Sequence, residues 1–259
     1  MYLALMRYNF KQQFAYRASL YMGILGSIIR IYIQVCIWQA LLRVGATVEQ
    51  TVEELVTYTL VAFLINICTG NDTAYALAAR VKSGSIAIDL IRPFPLKWYL
   101  FFEQLSGNIF SLIFIGGPVT LVALLLWHVH VPRIVEILFG VISVVLAVLL
   151  TFFFQYAVGL FVFWFKDVAY TRMITSGLVE LFSGSLIPLW FYPEGFRQVC
   201  ELLPFRFMVF EPIAVFLGEY DMAGCFKVIL IQLFWVLVLN IIGGLIWKKI
   251  QNNIIVQGG

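Results

Sequence analysis

Residue types capable of chemistry are scarce in this chain, and they do not converge. His128 and His130 are the only histidines, at a short turn without clustered carboxylates, a setting for solvent and headgroups rather than a metal. Cys36, Cys68, Cys200 and Cys225 are scattered without a CxxC, which argues against a metal site or a disulfide framework. Cys200 and Cys225 fall on the same side of the apolar runs, so one bridge between them stays open. GxSxG, HExxH and GxxxxGK[ST] are all absent, and with them the elbow nucleophile, the zinc-held water and the phosphate-cradling loop. Any energised work would need nucleotide hydrolysis in another subunit. What remains is a set of polar groups placed singly in apolar sequence. Glu180 follows Ser176 and Gly177 and precedes Ser183, a small polar stripe expected to face inward. Asn66, Thr69, Asn71 and Asp72 mark a second apolar run, and Arg30 lies inside the first, where it either pairs with an acid or snorkels. An ionisable group at membrane depth is costly and normally faces a bundle interior. For Glu180, a part in moving a solute stands beside a plainly structural role.

The elements that must hold these groups are membrane spans. Hydrophobic residues make up 62% of the 259 and charged residues only 12%, more apolar surface than a soluble domain of this size can bury. Runs such as Ile134–Phe165 and Val228–Trp247 exceed the roughly 20 residues that cross a bilayer core. Six spans are expected, near Ser19–Leu42, Leu55–Ala78, Tyr99–Trp127, Ile134–Phe165, Thr171–Leu189 and Val228–Trp247, in a single all-α membrane domain over 1–259. Gly116-Gly117-Pro118 should kink the third. Little sequence is left for a catalytic domain.

Charge placement sets the orientation. Eleven Lys and Arg residues, including Arg7, Lys11, Arg17, Arg80, Lys82, Arg92, Lys97 and Lys166, fall on one side of the spans. Arg43, Arg133, Arg197 and Arg206, with most of the acids, fall on the other. The positive-inside rule places both termini in the cytoplasm. Before the first span, Leu3, Met6, Phe10 and Phe14 recur at helical spacing among Arg7, Lys11 and Arg17, the pattern of an amphipathic helix in the cytoplasmic interface over 1–17. A plain extension of the first span would use the same residues.

Two connections are unusual. Residues 80–97 read RVKSGSIAIDLIRPFPLK. Positive charge, a Ser-Gly-Ser break and a short apolar run ended by Pro93 and Pro95 suit a short cytoplasmic helix that docks a partner. A loop that merely anchors the topology fits equally well. Residues 183–221 are too long for a hairpin and too apolar for a solvated loop, and Pro188, Pro193, Pro204 and Pro212 cut them into pieces shorter than a span. Such pieces re-enter the outer leaflet or lie along it. Trp190, Phe191, Tyr192, Phe196, Phe205, Phe207 and Phe210 are expected at the interface, as an aromatic belt or as solute contacts.

In this order, SGSIAIDLIRPFP within Arg80–Pro95 and SGSLIPLWFYPEGF, LLPF and FLG within Ser183–Gly218 resemble the membrane subunit of an ABC-2 type transporter, in the bacterial branch of short permeases. The resemblance implies that Ser83, Gly84, Ser85, Ile86, Asp89 and Leu90, with Arg80 and Lys82 beside them, receive an ATPase subunit. It implies that Arg7, Phe10, Lys11 and Phe14 lie on an interface helix leaning on that subunit. Ser183–Pro188 and Phe196–Leu203 become re-entrant outer helices capping the exit, and Asn66, Asn71, Asp72, Glu180, Ser183 and Trp190 become candidates for the solute pathway. Two permeases, identical or related, and two ATPases make the working unit in the bacterial cytoplasmic membrane. ATP and Mg belong to the partner ATPase, this chain holds no cofactor, and no nucleic-acid partner is expected. The implied cargo is an amphipathic or hydrophobic solute, such as a drug, peptide or lipid-like molecule, moved outward. An ion-gradient transporter or a lipid-modifying membrane enzyme is the alternative. The first would show internal repeats with paired broken helices and the second convergent acid–base groups.

Overall fold

In hydrocarbon each backbone N–H and C=O must be satisfied within its own segment, so apolar runs of this length fold as helices. The computed structural model describes residues 2–14, 17–43, 51–70, 72–91, 94–127, 129, 132–165 and 169–251. Glu49, Asn71, Arg92, Pro93, His128, His130 and Lys166 lie outside them. Among the described residues the regular structure is entirely helical. The elements are α1 (Tyr2–Gln13), α2 (Arg17–Arg43), α3 (Val52–Thr69), α4 (Thr73–Ser83), α5 (Ile86–Ile91), α6 (Leu96–Ser111), α7 (Gly117–Leu126), α8 (Ile134–Leu160), α9 (Val162–Phe165), α10 (Ala169–Phe182), α11 (Glu194–Leu202), α12 (Phe210–Leu217) and α13 (Met222–Gln251).

Five stretches are long and apolar enough to cross a bilayer: Arg17–Arg43, Val52–Ser83, Leu96–Leu126, Ile134–Trp164 and Met222–Gln251. The expected sixth, Thr171–Leu189, is shorter in the structure. Its helix α10 has 14 residues, roughly 21 Å of rise against a core of about 30 Å. The chain leaves helical geometry at Ser183, where Gly184 takes φ 75° and Pro188 follows.

The second span also differs from the single run expected over Leu55–Ala78. It starts on a reciprocal cap, with Thr51 Oγ1 accepting from the Glu54 N–H and Glu54 accepting from the Thr51 N–H. It then breaks after Thr69 and resumes as α4. Two carboxamides of α6 satisfy the break: Gln104 donates to the Gly70 carbonyl at 2.7 Å and Asn108 to the Cys68 carbonyl at 2.6 Å. In the third span the expected kink takes the form of a π segment, Leu112–Gly116, directly before the Gly-Pro step that opens α7.

Helix α8 is the central post, with α3, α4, α12 and α13 packed around it. A hydrogen-bonded pair pins α13 to it: the Ser143 hydroxyl donates to the Gln232 side-chain oxygen Oε1 at 3.0 Å. Gln232 in turn donates to the carbonyls of Ser143 and Phe207. Helix α2 stands at the edge, burying only Ile31, Val35 and Trp38.

Candidate functional sites at the two ends of the bundle

The basic end is built around Arg80. Helix α4 ends at Gly84, whose φ of 75° gives a left-handed cap that turns the chain straight into α5. The turn brings Asp89 of α5 back toward Arg80, with Nε 3.6 Å from Oδ2. Arg80 Nη2 also donates to both carboxylate oxygens of Glu103 on α6, at 2.8 and 2.7 Å, and the guanidinium lies 5.2 Å from the Tyr99 ring centre. One arginine therefore fastens α4, α5 and α6 together.

This geometry divides the expected docking residues. Arg80 is turned into the chain, its side chain 19% exposed, and Asp89 is buried. Their charges are spent internally and present no free face to a partner. Lys82, Ser83, Gly84 and Leu90 are exposed and Ser85 and Ile86 half-buried. The strongest surface feature is apolar: Ile88 is 64% and Ile91 84% exposed, beside Leu90. This short helix buries its acid and turns Ile88 and Ile91 outward.

Helix α1 lies against α6 as a separate element. Phe10 and Phe14 pack edge-on to Phe110 and Phe114, with ring centres 5.0–6.0 Å apart. Arg7 and Lys11 stay exposed. The phenylalanines thus fix the helix to the third span, and the basic residues face away.

At the acidic end a second arginine organises residues 183–221. Glu211, only 2% exposed, accepts from Arg206 and from the Tyr220 hydroxyl at 2.9 Å. Arg206 also reaches Glu201 at 3.5 Å, which pairs with Arg197 at 3.4 Å. Phe205, Phe207 and Phe210, expected as an interfacial belt, are buried. The 3-10 turn Pro204–Met208 folds them onto α8 and α13, and Arg206 lies over two of their rings. Ser183–Pro188, expected as a helix, forms bends, whereas α11 covers most of Phe196–Leu203 as expected. Ser183 is buried, and the Tyr58 hydroxyl donates to the Gly184 carbonyl at 2.7 Å.

Beside this cluster is a cavity of about 520 Å³, lined by Glu54, Trp190, Arg206, Phe210, Glu219 and Tyr220 among others. Burial against the cavity wall, with Glu211 and Glu54 nearby, raises the Glu219 carboxyl from 4.5 to about 7. Burial and the Glu211 carboxylate likewise push the Tyr220 hydroxyl up. Trp190 stands edge-on to Tyr58 and Phe210 at the cavity wall.

The remaining pathway candidates do not gather. Asn66 donates to the Ala62 carbonyl of its own helix at 2.8 Å and lines a pocket with Arg30, Gln34 and Ser185. Asp72 starts α4 and accepts the Ala76 N–H through its backbone carbonyl. Ser176, Gly177 and Glu180, expected to face inward, are exposed on α10. All four cysteines are free, so no bridge joins Cys200 to Cys225, and no metal-ligand cluster occurs among the described residues.

Glu103, Gln104, Asn108 and Gln232 escaped the sequence reading. A signal was present: an acid and two carboxamides spaced i, i+1 and i+5 inside the apolar run Tyr99–Trp127 demand partners at membrane depth. With both ends described, residues 18–253 match the family described as ABC-2 family transporter protein. No curated protein matches the chain.

Proposed function

This chain belongs to the ABC-2 transporter family, as a membrane permease subunit of an ABC transporter, and we propose that it works as an exporter powered by two copies of a separate ATPase. The observation that carries this reading is the α4–α5 turn, where the Arg80 clamp holds an outward apolar knob rigidly to the third span. Ile88, Leu90 and Ile91 enter a groove of the ATPase, and Lys82 lies at the rim. Movement of that groove on nucleotide closure passes through Arg80 to α4 and α6 together, because its Nη2 holds both Glu103 oxygens while its Nε faces Asp89. The basic residues of α1 border the same partner.

The basic end faces the cytoplasm of a bacterial inner membrane, following the positive-inside rule. Helix α10 and the bent segment after it make the sixth crossing, which returns the C-terminus to the side of the N-terminus. The short helices of 189–217 re-enter from outside and form the cap. The cargo is an amphipathic or hydrophobic solute, in keeping with a cavity that sets Trp190 and Phe210 beside Glu219 and Arg206.

The test is a mild-detergent capture of the tagged full chain from native membranes. A nucleotide-hydrolysing subunit should co-purify in stoichiometric yield and be lost with Ile88→Asp, while the permease itself is recovered folded. A wild-type preparation without that subunit, under conditions that keep other ABC complexes whole, would sink the reading.

A further inference from the structure

At the basic end a cavity of about 520 Å³ opens between two long helices, lined by Phe161, Trp164, Leu245, Ile246 and Lys249. Just before it the helices touch, since a Cβ on Gly243 would lie 3.2 Å from the Tyr156 ring. Helix α8 ends at Leu160, and after a turn at Phe161 the chain continues as the short α9. The cavity begins at that change of element.

Its walls are of two kinds. Phe161, Trp164 and Leu245 are 45%, 42% and 64% exposed, apolar surface that meets acyl chains in a bilayer. Lys249 is exposed in the last turn of α13, four residues and roughly 6 Å beyond Leu245. Helix α13 contains no Asp or Glu, and the one acid of α8 and α9, Glu136, stands at the opposite end of α8. Neither wall therefore supplies Lys249 with a counter-charge. Away from the cavity the exposed residues of α13 continue at helical spacing through Ile241, Leu237 and Phe234. The distance from Phe234 to Leu245 is roughly 16 Å, a track about as long as one acyl chain.

Tryptophan and lysine together at a helix end mark the headgroup level of a bilayer. Basic pockets between helices on the cytoplasmic side accept phosphate headgroups. We propose that this cavity holds one phospholipid of the inner leaflet with an anionic headgroup. Its phosphate sits on Lys249, its glycerol backbone against Trp164, and one acyl chain along Leu245, Ile241, Leu237 and Phe234. A zwitterionic lipid brings its own ammonium to the site and gains less from a lone lysine. Behind the cavity α9 packs on α4, the helix that carries Arg80, so the lipid braces the span that leads to the α4–α5 turn. The inference goes beyond the permease reading and takes from it only the orientation of the basic end.

The experiment places the full chain in phosphatidylcholine vesicles and replaces part of the lipid with phosphatidylglycerol brominated on its acyl chains, which quenches tryptophan on contact. The Trp164 signal is the difference between wild type and Trp164→Phe. Half-maximal quenching of that signal should need about one fifth as much brominated phosphatidylglycerol as brominated phosphatidylcholine, the scale of one lysine near an anionic lipid surface. Lys249→Gln should bring the two lipids level. Lys248→Gln, one residue away but outside the cavity wall, should keep the preference. Both lysines are exposed, so neither change disturbs the packed core.

Equal quenching of wild type by the two lipids would overturn the proposal, and so would a preference that survives Lys249→Gln. An equal loss in both lysine variants overturns it as well, because it would show a general attraction of the basic surface and no site. Glycerol phosphate in solution is added last. Unchanged quenching supports the lipid, whereas displacement would show that the cavity reads phosphate alone. The ATPase is absent from these vesicles, so failure here leaves the permease reading standing.

Discussion

Each end of this protein is organised by one arginine between two carboxylates, and the two arrangements do different jobs. At the basic end Arg80 joins Glu103 and Asp89, which lie on separate helices, and leaves an apolar knob outside. At the acidic end Arg206 joins Glu201 and Glu211 close in sequence, with Tyr220 completing the shell around a carboxylate that is 2% exposed. The first ties three helices together at one point. The second is a buried plug that fixes the shape of a segment without long helices. A charged triad in a membrane protein gets its role from which elements it spans, not from its composition.

The sharpest way to break the contrast is to remove each arginine. Arg206→Met strands Glu211 in a buried site, and the folded chain should lose about 3–5 kcal/mol, read as lower thermal stability in detergent. Glu211→Gln should lose less, since the neutral amide still accepts from Tyr220. Arg80→Met removes charged hydrogen bonds from a partly hydrated site and should cost about 1.5–3 kcal/mol. It should also depress ATPase capture, which Arg206→Met should leave intact once the protein is folded. Equal effects of both on capture would erase the distinction.

Smaller effects refine the picture. Glu219 has its folded pKa raised from 4.5 to about 7, so the folded chain keeps a proton that the unfolded chain releases. Its stabilising contribution is complete below pH 4.5 and is lost as the pH rises to about 7. A stability profile of wild type should therefore fall across that window relative to Glu219→Gln, with no such difference if the cavity is freely hydrated. Ile88→Asp should change stability least, within about 0.5 kcal/mol because the position is a solvent-facing surface, while abolishing ATPase capture.

Much of the fold was legible from one-dimensional signals. Apolar length located five of the spans, the Gly-Gly-Pro step located the distortion in the third, and four prolines marked the broken stretch before the last. Burial was harder to read, because it depends on residues distant in the chain. Arg80 looked like a docking charge until Glu103, 23 positions later, was placed opposite it. Phe205 and Phe207 looked interfacial because nothing local says that a 3-10 turn folds them onto α8 and α13. The interruption at Gly70 was hidden for a similar reason, since its carbonyls are satisfied by side chains of another helix. Glu180 looked like an inward polar stripe, and a single chain leaves that stripe on the outside.

The π segment at Leu112–Gly116 has a consequence for the rotational phase of the third span. An α-helix advances 100° per residue, so one additional residue in a widened turn shifts everything beyond it by about that angle. The half of this span nearer the basic end presents Phe110 of α6 to α1, with Phe114 of the π segment beside it. The other half, α7, turns Val119 and Ala123 into the cluster formed by Ile31, Val35, Val56 and Leu60. A chain shortened by one residue here would keep its hydropathy and its length to within 1.5 Å. It would still address the wrong neighbours, so the segment makes residue number itself, and not only residue type, part of what the bundle encodes.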